Sequence, residues 1–225
     1  LNTIIAGLIG GKSLTIIDMP ISVHDLITTV GLNTRSLRTV KWGNSVDSTS
    51  KGIYIVSTSG QPNENTNLYE SAPIDVNTLR IWLNKVPSLE IDGKRSPSIS
   101  ELKSRLSGFW LPDECILYIG QTESGNGLKG RVNQYYNTEL GERKPHAGGH
   151  WIKTLSIINQ LFIHYIPTIA PVDTEEKLLN HFVKQVSKGT KSILLDSHLS
   201  LPFANLELEI GKRKKHGISK SKLGD

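Results

Sequence analysis

An arginine and a glutamate fall on the apolar faces of two helical segments, where an unpaired charge is costly. In "LKGRVNQYYNTEL" (128–140), Leu128, Val132, Tyr135 and Tyr136 share one face at helical spacing, with Arg131 at its edge beside Tyr135. A guanidinium there needs an anion. An internal salt bridge or a side chain reaching out to water would satisfy Arg131 taken alone. In "DTEEKLLNHFVKQV" (173–186), Leu178, Leu179, Phe182 and Val186 define the apolar face; Glu175 falls at its centre and Glu176 at its margin. A carboxylate aimed at the core needs a cation, either a metal or an arginine. The helix dipole favours a glutamate in the first turn, but it does not explain one on the buried side. Together, an inward Arg131 and an inward Glu175 suggest a site for a phosphate and a metal ion.

The elements that must position this pair begin with two short apolar runs. "GIYIVS" (52–57) and "LYIGQT" (117–122) read as strands, each with a tyrosine, Tyr54 and Tyr118, among aliphatic residues. Taken singly, each tyrosine would pack its ring as a strand residue. Between them, 62–115 reads as a helical insertion, with helical spacing over 74–86 and 98–110 and a turn at "PSLEIDGKRSPS". Possible helix caps are Asp75 and Ser98 or Ser100. Its cations Arg80, Lys85, Lys103 and Arg105, with "DGKR" (92–95), could reach substrate or serve stability only. "LFIHYI" (161–166) reads as a third strand, and "HAGGHWIKTLSII" (146–158) as a loop entering a short helix. This order predicts an α/β sandwich: a small, mainly antiparallel sheet flanked by helices, its opening strands paired.

Residues 1–50 read as a mostly helical leader. Within it, "HDLITTVGLNTRSLRTV" (24–40) fits two short helices around Gly31, capped by Asn33. As a helix-turn-helix it would aim Thr34, Arg35 and Arg38 at DNA; two merely packed helices fit as well. The tail 211–225 carries Lys212, Arg213, Lys214 and Lys215 in a row, which suits phosphate contacts and equally a solvated terminus.

Composition bounds the rest. The 225 residues are 37% hydrophobic and 21% charged, with net charge +5 and pI about 9.2, as expected of a globular chain. No apolar run approaches a membrane span. The lone Cys115 excludes an intramolecular disulfide, and the opening "LNTIIAGLIGG" lacks a signal peptide's basic start and cleavage site. A cytoplasmic location is the expectation.

"GIY" at 52–54 and "YIG" at 118–120, followed by an arginine on the next helix and a glutamate opening a later one, resemble the GIY-YIG nuclease family. The resemblance covers 51–210, with 62–115 outside it, and implies a DNA endonuclease, plausible in restriction or genome defence. It carries over to Tyr54, Tyr118, Arg131, Glu175 and Asn205, with His146 and His150 as histidine candidates by order. It implies one Mg²⁺ or Mn²⁺ held by Glu175, Arg131 on the scissile phosphate, and Tyr54 deprotonating or orienting water. Tyr118 would orient phosphate or water, and Lys129 would join the DNA contacts. Cleaving a palindromic duplex would favour a homodimer. Two features depart from the pattern: the long gap between the signature strands, and the distance from Glu175 to Asn205. The competing readings are a non-catalytic DNA-binding protein on a nuclease scaffold, and a nuclease for RNA or branched DNA.

Overall fold

A four-stranded antiparallel sheet organises the chain, and its central members are the most apolar segments. The computed structural model describes residues 20–142 and 149–220. The sheet runs β1 (Arg38–Lys41), β6 (Phe162–Pro167), β2 (Gly52–Ser57), β5 (Ile116–Thr122) in spatial order, every pairing antiparallel. All six residues of β2 are buried. Alternation sends Tyr54 and Val56 into one core and Ile53 and Ile55 into the other, so both faces are covered. The mixed helix-and-strand class, the small antiparallel sheet and the pairing of the two opening strands are as the sequence pattern predicts.

Helices α1 (Val23–Thr29) and α6 (Pro171–Gln185) pack on the second face through Val23, Leu26, Ile27, Leu178, Leu179 and Phe182. Helix α6 begins two residues earlier than its acidic run suggests. Pro171 occupies its first turn, where a missing N–H costs nothing. The first face is covered by α4 (Gly127–Asn137), α5 (Gly149–Lys153) and the insertion. The insertion forms α2 (Val76–Lys85), capped by Asp75, and α3 (Ile99–Ser107), with a full Ser98–Glu101 capping box. Between them β3 (Leu89–Ile91) and β4 (Lys94–Arg95) turn through Asp92–Gly93, both at positive φ (51° and 77°), as a tight hairpin requires. Leu79, Trp82, Leu102, Leu106 and Phe109 share one buried cluster with Tyr54, so the insertion completes the core.

Two expectations are corrected. The helix-turn-helix is absent: Asn33 caps a single 3₁₀ turn, Thr34–Ser36, and the chain then becomes strand β1. The β-branched Thr39 and Val40 suit a pleated surface, and tertiary pairing with β6 decides the outcome. His164, fully buried, fixes that pairing. One ring nitrogen lies 2.8 Å from the Thr39 hydroxyl and the other 2.9 Å from the Ser59 carbonyl, while burial lowers its pKa to about 4.

The tail is not a loose basic arm over its described part. After β7 (Glu207–Glu209) and β8 (Lys212–Arg213), strand β9 (Ile218–Lys220) pairs with β3, joining the tail to the insertion. Lys214 is buried, donates to the Pro202 and Phe203 carbonyls at 3.0 Å each, and lies over the rings of Phe109 and Trp151. No described helix is long and apolar enough to cross a membrane.

Candidate active site

The register of β2 on β5 sets Tyr54 opposite Gly120 and Val56 opposite Tyr118. Both tyrosines therefore project from the same face, diagonal to one another. Gly120 is what lets the Tyr54 ring lie across β5. A Cβ there would stand 2.7 Å from the Tyr54 hydroxyl and 2.6 Å from atoms of both tyrosine rings. Gly52 answers a second close approach, since its Cβ would fall 2.3 Å from the Ile166 carbonyl oxygen. The two signature glycines thus make room for neighbouring backbone and rings, a need unrelated to positive φ.

Tyr135 on α4 completes an aromatic triad, its ring centroid 6.0 Å from Tyr54 and 5.4 Å from Tyr118. Tyr54 and Tyr118 are 5.8 Å apart. Arg131, one helical turn before Tyr135, brings its guanidinium beside the Tyr54 hydroxyl. The charge of Arg131 and the Tyr118 hydroxyl both draw the Tyr54 pKa down, yet burial wins and pushes it up to about 12. The Tyr54 oxygen is buried and no contact to it reaches regular hydrogen-bond geometry. Burial also raises Tyr118 well above its usual value. Both are neutral phenols at any physiological pH. Arg131 alone therefore leaves Tyr54 protonated.

Glu175 lies near the start of α6, partly buried, while its neighbour Glu176 is exposed, in the phase that the helical period predicts. Burial raises the Glu175 pKa to about 7, opposed by the positive charge of Arg131. Among the described residues no ion pair joins the two, so neither charge is neutralised by direct contact. Glu175 and Tyr118 line a cleft of about 430 Å³ with Val172, Asn205, Ile210 and Arg213. Tyr54 on β2 and Arg131 on α4 do not line this cleft, but both act on its members: Arg131 on Glu175, and Tyr54 on Tyr118.

Asn205 reaches the cleft wall in a structural role. Its side-chain oxygen accepts from the Ile119 N–H and its amide donates to the Ile119 carbonyl, each at 2.8 Å. With the Ala204 N–H bonded to the Leu117 carbonyl, it pairs the open edge of β5. Both ends of its amide engage Ile119, which gives Asn205 a strand-positioning role.

His150 is also placed elsewhere. It is buried, stacked on Trp82, with its ring nitrogens engaged by the Gly141 N–H and the Glu142 carbonyl. His146 lies outside the described residues. Lys129 is exposed on α4, next to a groove lined by Asn126 and Asn133. Arg35 is exposed, and Arg38 donates to the carbonyls of Arg35 and Leu37, folded onto its own backbone. Of the tail cations, Lys212 pairs with Glu209, Lys214 is buried, Lys215 is exposed, and Arg213 enters the cleft. In the insertion, Lys85, Arg95 and Arg105 pair with Glu139, Glu90 and Asp92. Half of the insertion's six cations therefore serve internal ion pairs.

Sequence reasoning noted Tyr135 one turn after Arg131 but did not include it in the candidate site. It had no way to bring Arg213 to the same cleft as Glu175. Among the described residues no group of three or more His, Cys, Asp or Glu side chains could hold a metal, so any ion here would rest on Glu175 with water or substrate oxygens. No family model, curated protein or solved structure matches the chain.

Proposed function

We propose that the protein is a divalent-metal-dependent nuclease of GIY-YIG type that hydrolyses phosphodiester bonds in DNA. The observation that carries this reading is that Tyr54, Tyr118, Arg131 and Glu175, from four elements, act electrostatically on one another, with Tyr118 and Glu175 lining the cleft and the buried Tyr54 behind them. An arginine used only for folding would be paired, and a glutamate used only for capping would face water. Here the two charges stand near each other without an ion pair.

Glu175 fits a single hard cation. Mg²⁺ is commonly held by one or two carboxylates, with water and substrate phosphate filling the other positions. A carboxyl whose pKa burial has raised to about 7 is an oxygen donor short of a cation. When bound, the ion would supply Lewis acidity at the phosphate and lower the pKa of a water.

The chain's own residues do the rest. Arg131 gives two parallel hydrogen bonds to phosphate oxygens and stabilises the charge that builds up on them. Tyr118, neutral and lining the cleft, orients phosphate or water by donating its hydroxyl proton, and the buried Tyr54 packs behind it to position its ring. Asn205 holds the strand that carries Tyr118.

Incubation of supercoiled plasmid with the full chain, in Mg²⁺ and in EDTA, tests the proposal. Nicking or linearisation in Mg²⁺ alone is expected. Arg131→Ala should lower the single-turnover rate by about 10²–10³ while DNA affinity falls little, and Arg131→Lys should stay impaired because a point charge lacks the fork. A loss of rate that merely tracks the melting temperature would remove Arg131 from the mechanism. Binding without cleavage under every metal condition would favour a binding protein on this scaffold, and cleavage of RNA alone would move the substrate.

A further inference from the structure

The hairpin β7–β8 divides the cleft from a second cavity of about 330 Å³. Leu206 and Arg213, at its base, line both spaces. The second cavity is otherwise walled chiefly by Trp82, Trp151, Leu89, Ile218, Glu142 and Lys220, a lining of aromatic and apolar groups with one charge of each sign. Its floor is firm, because Trp82 and Trp151 are both buried. Aromatic and apolar walls suit a nucleobase, and Arg213 on the wall shared with the cleft suits the phosphate to which it is joined.

At the hairpin's tip stand Ile210 and Gly211, the latter at φ 87°. Two-residue hairpin turns favour asparagine, aspartate and glycine. Ile210 instead offers a fully exposed aliphatic side chain on the rim of the cleft, and Val172 is exposed across from it. An apolar side chain entering a base step can unstack it, and an enzyme that draws a base out of the stack needs a pocket to receive it.

We infer that the β7–β8 hairpin acts as a wedge: Ile210 enters the base stack of bound DNA, and a displaced nucleobase occupies the cavity between Trp82, Trp151 and Arg213. This rests on the nuclease reading above, since the displaced base must belong to a strand whose phosphate lies in the adjoining cleft. The cleft then handles the phosphate and the cavity reads the base, with Arg213 contacting both.

The test uses the full chain, in EDTA to prevent cleavage, with duplexes carrying 2-aminopurine at successive positions across the bound site. A several-fold fluorescence rise at one position is expected on binding. Ile210→Ala, at an exposed site, should leave the melting temperature unchanged and abolish the rise. An abasic residue at that position should restore the affinity that Ile210→Ala loses. Ser219→Trp, from an exposed position on the cavity wall, should block entry of the base and also suppress the signal. A flat profile on a duplex that is bound and cut, or a rise untouched by both variants, overturns the wedge while leaving the nuclease standing. A duplex neither bound in EDTA nor cut in Mg²⁺ would overturn the nuclease reading and the wedge with it.

Discussion

Glu175 is the residue whose chemistry depends most on its surroundings. With its pKa raised to about 7 by burial, it binds a proton in the folded state that it releases near pH 4.5 when unfolded. Its contribution to stability is full below pH 4.5 and is lost as the pH rises through 7. At pH 8 it is a half-buried anion that only Arg131 opposes. Glu175→Gln should therefore raise the melting temperature of the metal-free protein at pH 8 and change it little at pH 4.5. Mg²⁺ should stabilise the wild type at pH 8 and not the variant, because only the wild type has the carboxylate. Cleavage should be abolished in Glu175→Gln and nearly normal in Glu176→Gln, whose side chain is exposed. Thermal melts with and without Mg²⁺ check all but the last, which needs the plasmid assay. An essential Glu176 with a dispensable Glu175 would defeat the assignment. At this scale the sequence was informative wherever helical phase decides: Glu175 and Arg131 point where their spacing says. It was silent on the tyrosine pKa values, which depend on how deeply three rings from three elements bury one another.

The element whose behaviour most needs explaining is β5, an edge strand that carries Tyr118. Edges left open invite pairing with other chains, and here Asn205 and Ala204 close this one. Asn205→Ala should leave the Ile119 N–H and carbonyl unpaired in the interior, at about 1–3 kcal/mol for each unsatisfied group. The expected result is a lower melting temperature, with faster amide exchange confined to β5. Asn205→Asp keeps the acceptor for the Ile119 N–H and loses the donor, so exchange at Ile119 should stay slower than in the alanine variant. Residual cleavage in Asn205→Ala should follow the folded fraction, and a rate loss well beyond it would return Asn205 to the catalytic group. Elements were legible in the sequence where the signal is local. The capping box of α3 and the Asp-Gly turn of the β3–β4 hairpin are examples. Strand β1 was missed because Thr39 and Val40 become a strand only by pairing with residues 162–165, far along the chain.

Across the whole molecule, residues 214–220 pack into the core built by the chain's middle. Strand β9 extends the insertion's hairpin, and Lys214 sits under Phe109 and Trp151, where burial lowers its pKa to about 7. Charge composition could not reveal this, because a lysine beside Lys215 in a basic run reads as solvated until the rings that cover it arrive from more than sixty residues upstream. The expectation for deleting 212–225 changes accordingly. A loose arm would leave a stable enzyme whose DNA binding depends less steeply on salt. The observed arrangement instead predicts that deletion strips β3 of a partner, uncovers Trp151 and removes Arg213 from the cleft. Such a chain should melt at a much lower temperature, bind hydrophobic dyes and lose cleavage as it loses structure. Point variants separate the two pictures. Lys214→Ala removes the donor to two buried carbonyls and should lower the melting temperature clearly. Lys215→Ala, at an exposed side chain, should leave the unfolding free energy within about 0.5 kcal/mol of wild type and change only the salt dependence of binding. A truncated protein that melts like the full chain would show that residues 212–225 are dispensable to the fold, and Lys214 would then rejoin its neighbours as a phosphate contact.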